Sequence, residues 1–221
     1  GSDWPHPEGV AAPLDFLDEV ERLPAPALRR VMRDNTAELP LPFAAVSRTT
    51  WHPAGGFAVT PGDAYVVTWP LGVGWVRVER RGAATPVQVA EATQERAYVT
   101  KGLQWLDPSW TWNGPDIPAV KPFVSQLFVG SDGSVWLLRE GDAEDRDDPD
   151  FRPGDASSVE RRLQSRLVFD AFSATGDFLG TVAVPPSVQL RPQPAFDARG
   201  FIALDIDDDG VPRLVRYAVV P

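Results

Sequence analysis

The stretch "QLFVGSDGSVWLLRE" (Gln126 to Glu140) decides how the rest of the chain is read. Two β-rich runs, "SQLFVG" and "SVWLLRE", flank Ser131-Asp132-Gly133. Asp-Gly between such runs is a strong hairpin signal, because both residues tolerate the backbone of a tight turn. The same grammar recurs outward in both directions. Upstream stand "PFAAVSRT" (Pro42 to Thr49), "GGFAVT" (Gly55 to Thr60), "AYVVTW" (Ala64 to Trp69) and "GWVRVER" (Gly74 to Arg80), punctuated by Pro61-Gly62-Asp63, Pro70 to Gly74 and Arg81-Gly82. Downstream come "RLVFDAFS", the turn Ala174 to Asp177, "FLGTVAVP", "GFIALDI", the turn Asp208-Asp209-Gly210 and "RLVRYAVV". Short strands joined by Gly turns predict an all-β, antiparallel architecture.

Composition agrees with that reading. The 221 residues are 43% hydrophobic, enough for a packed interior. Twenty-three prolines and 18 glycines favour many short elements over a few long helices. The charge balance, 31 acidic against 21 basic residues, gives −10, and a surface of that sign repels phosphate backbones. Nucleic acid is therefore not the expected partner. With no cysteine, disulfides, thiol catalysis, Fe–S clusters and cysteine zinc sites are excluded together. No apolar run approaches the ~20 residues of a membrane-spanning helix.

Helical signals are few. Leu14 to Arg22 and Pro26 to Asp34 predict two short helices in an N-terminal segment, 1–39, that opens Pro-rich and extended. Val89 to Leu103 predicts a third inside the β domain, 40–221. Glu140 to Arg162, "EGDAEDRDDPDFRPGDASSVERR", reads as an acidic solvated loop. The opening "GSDWPHPEGV" lacks an initiator methionine, which fits a tag scar or a mature exported chain that has lost its signal and a lipidated cysteine. The expectation is a periplasmic or otherwise exported protein, with the cytoplasm as the alternative.

Four phrases carry a family resemblance. "QLFVGSDGSVWLLRE" resembles the inner hairpin of a propeller blade of NHL type, and "LVFDAFSATGDFLGTVAVP" (Leu167 to Pro185) resembles the outer strand pair. "FDARGFIALDIDDDGVPRLVRYAVV" (Phe196 to Val220) repeats the scheme, and "GGFAVTPGDAYVVTW" with "GWVRVERRG" (Gly55 to Gly82) resembles another copy. Together they resemble the six-bladed NHL/TolB-like β-propeller proteins of bacteria over roughly residues 50–220. The resemblance implies a partial or open β-propeller-like fold, because a blade takes about 40–50 residues and this stretch holds three or four. An incomplete ring leaves strand edges and an apolar blade face to be covered by the N-terminal helices, a second copy or another protein.

Asp205, Asp207, Asp209 and Gly210 spell the start of a calcium loop, yet the twelfth position is Arg216 and Arg213 stands where a propeller loop wants Asp. The segment reads as a hairpin turn, and no metal or other cofactor is expected. His6 and His52 have neither ligand spacing nor a nucleophilic partner nearby, so each reads as a loop side chain. Trp105, Trp110 and Trp112 lie in a Pro-rich irregular segment, Leu106 to Pro122, and either hold that loop onto the core or form a recognition surface. Asp145, Asp147 and Asp148 belong to the charge run, a solvated face or an acidic patch for a basic partner. No catalytic residue stands out. The expected function is a non-catalytic interaction or scaffold module, such as an accessory subunit on the periplasmic face of a respiratory or photosynthetic membrane complex. Alternatives are a propeller-type hydrolase or lyase and a carbohydrate-binding module.

Overall fold

The structure, a computed structural model, describes residues 41–104, 107–148, 151–155, 158–207 and 209–218. The chain divides into two compact units, Gly1–Leu41 and Pro42–Pro221. The two short helices expected at Leu14 to Arg22 and Pro26 to Asp34 lie outside the described residues.

The second unit is mostly β, in three antiparallel sheets. The first contains β1 (Arg48–Trp51), β2 (Phe57–Thr60), β3 (Val66–Leu71) and β4 (Gly74–Glu79), hydrogen-bonded in chain order. The second contains β5 (Gln126–Val129), β6 (Val135–Asp145), β7 (Leu163–Phe172) and β8 (Phe178–Ala183) in the same consecutive order. In the third, β11 (Gly200–Ile206) has β12 (Pro212–Ala218) on one edge. Both β9 (Val188–Gln189) and β10 (Ala195–Asp197) take the other, β9 opposite Leu204 and Asp205, β10 opposite Gly200 to Ile202. Between the first two sheets runs one helix, α1 (Val89–Gln104).

The decisive hairpin closes as its residues require. Gly133 has φ 82°, and its N–H donates to the Gly130 carbonyl at 3.0 Å. A Cβ on Gly130 would lie 2.8 Å from the Phe196 carbonyl oxygen, so this turn also needs glycine for the close approach of another strand. Beyond it, β6 begins with four buried residues, Val135 to Leu138. Successive strand side chains point to opposite faces. Val135 and Leu137 join Ala58, Val67 and Trp69 in a core against the first sheet. Trp136 and Leu138 join Phe196, Phe201 and Ala203 in a core against the third. An unbroken apolar run is what burial on both faces demands. The second sheet is thus the middle layer of three.

Two boundaries differ from the sequence reading. The run Pro42 to Thr49 is largely irregular, because only Arg48–Trp51 finds a partner, Phe57–Thr60. The acidic loop is shorter than Glu140 to Arg162. β6 continues to Asp145, past a register shift between Glu140 and Ala143, because Ala143, Glu144 and Asp145 pair with Ser165, Gln164 and Leu163. Arginines neutralise the strand's end: Arg146 meets Glu144 at 2.6 Å and Arg162 meets Asp145 at 2.8 Å. Ladder hydrogen bonds with neutralised flanks outweigh the solvation preference of the charges.

α1 docks by polar contacts more than by an apolar stripe. Glu91, three residues past Gln88, accepts from the Gln88 N–H at 3.3 Å, half of a capping box. Gln94 exchanges two hydrogen bonds with the Leu163 backbone, at 2.8 and 2.9 Å. Arg161 grips Glu95 with both nitrogens and lies 4.4 Å over the Tyr98 ring.

Candidate functional site

With three layers, each outer sheet has one face that packs on no other sheet. On the first, the register places Trp51 opposite Phe57, Val59 opposite Thr68, and Pro70 opposite Trp75. These residues share the face away from the core, since Ala58, Val67 and Trp69 occupy the other. Trp51 is 61% exposed, Phe57 51% and Trp75 67%, with Val59 also open. The Trp51 and Phe57 rings meet edge to face at 5.5 Å, which stiffens the row. On the third sheet the outward positions are Ile202, Leu204 and Ile206 of β11, opposite Arg216, Leu214 and Pro212 of β12. Leu214 is 77% exposed, and Ile202 and Ile206 are exposed too. Scattered surface apolar side chains are ordinary, but contiguous rows on both ends of one stack are not.

The hairpins nearest the chain start of each sheet meet tip to tip. His52, between β1 and β2, is buried, accepts from the Ala54 N–H at Nδ1 (3.2 Å) and so donates through Nε2 to the Gly133 carbonyl at 3.1 Å. This loop side chain is thus a strut between hairpins. Asp132 continues the chain of contacts. Its Oδ1 accepts from the Ser134 N–H at 3.0 Å, and its Oδ2 from the Ala198 N–H, in the β10–β11 turn, at 2.6 Å. Burial raises the Asp132 carboxyl, but the hydrogen bonds from Ser134 and Ala198 together hold it below the ordinary Asp range. A carboxyl depressed in the fold stabilises above its unfolded pKa of about 3.9 and loses that contribution as pH falls through the lower folded value. Asp132→Asn should therefore lower stability at pH 7 by roughly 1 kcal/mol, allowing for solvent screening. Urea unfolding from pH 7 down to pH 3 should show a shallower acid decline in the variant; parallel curves would remove Asp132 from the linkage.

The residues singled out from sequence have definite places. Trp105 lies outside the described residues. Trp110 and Trp112 meet at 6.3 Å, edge to face, and both are partly buried. Trp112 donates from Nε1 to the Pro115 carbonyl at 3.2 Å and sits 5.2 Å beneath the Arg96 guanidinium, while Gln104 donates to the Trp110 carbonyl at 3.0 Å. These contacts fasten the loop to α1. Asp145 is paired with Arg162, and Asp148 accepts from the Arg161 N–H at 2.7 Å; Asp147 is exposed. The Asp205 to Gly210 segment is a hairpin turn: the Gly210 N–H donates to the Asp207 carbonyl at 2.8 Å, and Asp207 pairs with Arg213 at 2.6 Å. Asp205 accepts from the Tyr217 hydroxyl, whose pKa burial and this carboxylate raise to about 12.

Two buried ionic clusters were not visible in the sequence. Lys121, fully buried, spends its three N–H donors on Glu91 (2.7 Å), the Gly141 carbonyl (2.8 Å) and Ser165 Oγ (2.9 Å). Glu140 joins through Ser165 at 3.0 Å, and burial raises its carboxyl above the usual range. The second cluster surrounds Asp170, which is fully buried in β7. It accepts from the Tyr65 hydroxyl at 2.7 Å, Thr181 Oγ1 at 2.6 Å and Arg139 Nη1 at 3.0 Å. Burial, then the Asp170 hydrogen bond, drives the Tyr65 hydroxyl pKa upward. Compared with protein-family models, with curated proteins and with solved structures, the chain finds no match in any of the three.

Proposed function

We propose that the chain is a non-catalytic interaction module, an open arc of propeller-like blades whose end faces dock a larger protein partner. The single observation behind this reading is the pair of exposed apolar rows, Trp51, Phe57 and Trp75 at one end of the stack and Ile202, Ile206 and Leu214 at the other. Three layers account for the arc: the first two are consecutive four-stranded meanders, and the equivalent hairpin tips of all three touch in sequence through His52 and Asp132. Leaving such faces in water forfeits about 25 cal/mol for each Å² that a partner would cover. The cellular setting we propose is the periplasmic face of a membrane complex; no helix among the described residues is long and apolar enough to cross a membrane.

Tryptophan is the side chain most often dominant in an interface. Trp75→Ser and Leu214→Glu should each weaken the partner complex by at least roughly 30-fold, about 2 kcal/mol. Folding stability should stay within about 0.5 kcal/mol, since neither side chain is in a core. Titration of the native partner against both variants reads the effect. Unchanged affinity in both would remove the sheet faces from the interface, and loss on Trp112→Ser instead would move it to the loop beside α1.

A further inference from the structure

At the edge of the Asp170 cluster lies a cavity of about 140 Å³. Tyr65, Arg80, Arg81, Gly82, Ala83, Phe123 and Arg139 line it. Three arginines lining one small cavity are unexpected in a chain of net charge −10. Asp170 is the carboxylate that faces them, bonded to Arg139 at 3.0 Å and only 4.0 Å from Arg80. Three positive charges against one negative leave two in excess. Asp170 already accepts from Tyr65, Thr181 and Arg139, and Arg80, at 4.0 Å, is beyond hydrogen-bond distance of it. The Arg81 side chain makes no ion pair among the described residues, and the Arg80 side chain is 60% exposed. The Gly82 and Ala83 amides make no backbone hydrogen bond among the described residues.

We infer that this cavity binds a small dianionic oxyanion, a phosphate or a short dicarboxylate. Arg139, fixed by Asp170 and lying 5.5 Å over the Tyr65 ring, is the rigid back wall. Arg80 and Arg81 are the adjustable forks that close on two oxygens, a geometry that suits guanidinium better than ammonium. Phe123 and the Tyr65 ring flank the site with apolar surface and exclude some water, which strengthens the charge interaction. The site is independent of the two sheet-end faces: Tyr65 and Arg80 project to the core side of the first sheet, opposite Trp51 and Trp75.

Isothermal titration of the full chain with inorganic phosphate, and separately with malonate, tests this at fixed ionic strength. Saturable binding of one or both at one site per chain is expected, and it names the preferred oxyanion. Arg81→Ala should weaken it at least tenfold without lowering the urea midpoint of the free protein, and Arg81→Lys should restore part of it. The inference is overturned by no saturable heat with either anion, by equal binding in Arg81→Ala, or by an equal response to chloride at matched ionic strength.

Discussion

Replacing Lys121 with methionine is expected to destabilise the fold by about 3–5 kcal/mol, the range for breaking a buried ion pair from one side. Methionine fills most of the volume, so the loss is electrostatic. Glu91, which is 1% exposed, would lose the ammonium 2.7 Å away, and Glu140 and Ser165 would share the same water-poor space. The Gly141 carbonyl would also lose its donor. The effect has a pH signature. Burial holds the Glu140 carboxyl above its usual range while the Lys121 charge opposes that rise, so removing the ammonium raises it further. A group raised on folding supports stability below its unfolded pKa and loses that support as pH rises through its folded value. Lys121→Met should thus be far less damaging near pH 5 than at pH 8. Glu91→Leu added to Lys121→Met should recover part of the loss, since replacing both charges by apolar groups is often close to neutral. Urea midpoints at the two pH values decide it; a pH-independent loss would mean that packing, and not charge, is what Lys121 supplies.

Trp136→Ala is the second large effect, about 3–5 kcal/mol for deleting a buried indole. The ring is fully buried and lies 5.2 Å from Phe196, 5.9 Å from Phe169 and 6.2 Å from Phe201, with its Nε1 donating to Ser134 Oγ at 3.2 Å. Phe196 and Phe201 belong to the third sheet and Phe169 to the second, so the indole is the peg between layers. Its loss should release the third sheet first. Amide exchange should then accelerate across β10 to β12 before β5 to β7, and the near-ultraviolet dichroism should fall in the same variant. Uniform acceleration over all three sheets would show a single cooperative unit instead. Trp75→Ala is the internal control, a tryptophan of the same chain that lies on an exposed face.

How far the sequence carried depends on the range of the interactions. Turns are local, so Ser131-Asp132-Gly133 and Asp207 to Gly210 marked hairpins that the structure contains. The run "SVWLL" announced a strand, although its burial on both faces depends on neighbours more than 50 residues away in either direction: Trp69 and Phe201. The charged end of β6 carries no strand signal, because Glu140, Asp142 and Glu144 read as solvent-facing residues. The pairing of Ala143, Glu144 and Asp145 with Ser165, Gln164 and Leu163 is a long-range fact that composition does not encode. Lys121 has no local signal at all, since Gly141 and Ser165 lie 20 and 44 positions along the chain and Glu91 stands in the first turn of α1. Arg80 and Arg81 looked like turn punctuation beside Gly82; only the arrival of Arg139 and Asp170 from the second sheet makes them a cluster. The exposed rows were partly legible. The alternation of Trp75, Arg77 and Glu79 against Val76 and Val78 marks two unlike faces, but which of them packs is set by the other sheets.

The central claim is that the two outer sheets leave apolar faces that a partner covers. Light scattering on the untagged protein, purified from its native source by size-exclusion chromatography, addresses it most directly. The expected particle is heavier than one copy of the protein and returns to the mass of one copy when Trp75→Glu and Leu214→Glu are combined. A wild-type particle with the mass of one copy at every concentration, with nothing bound, contradicts it.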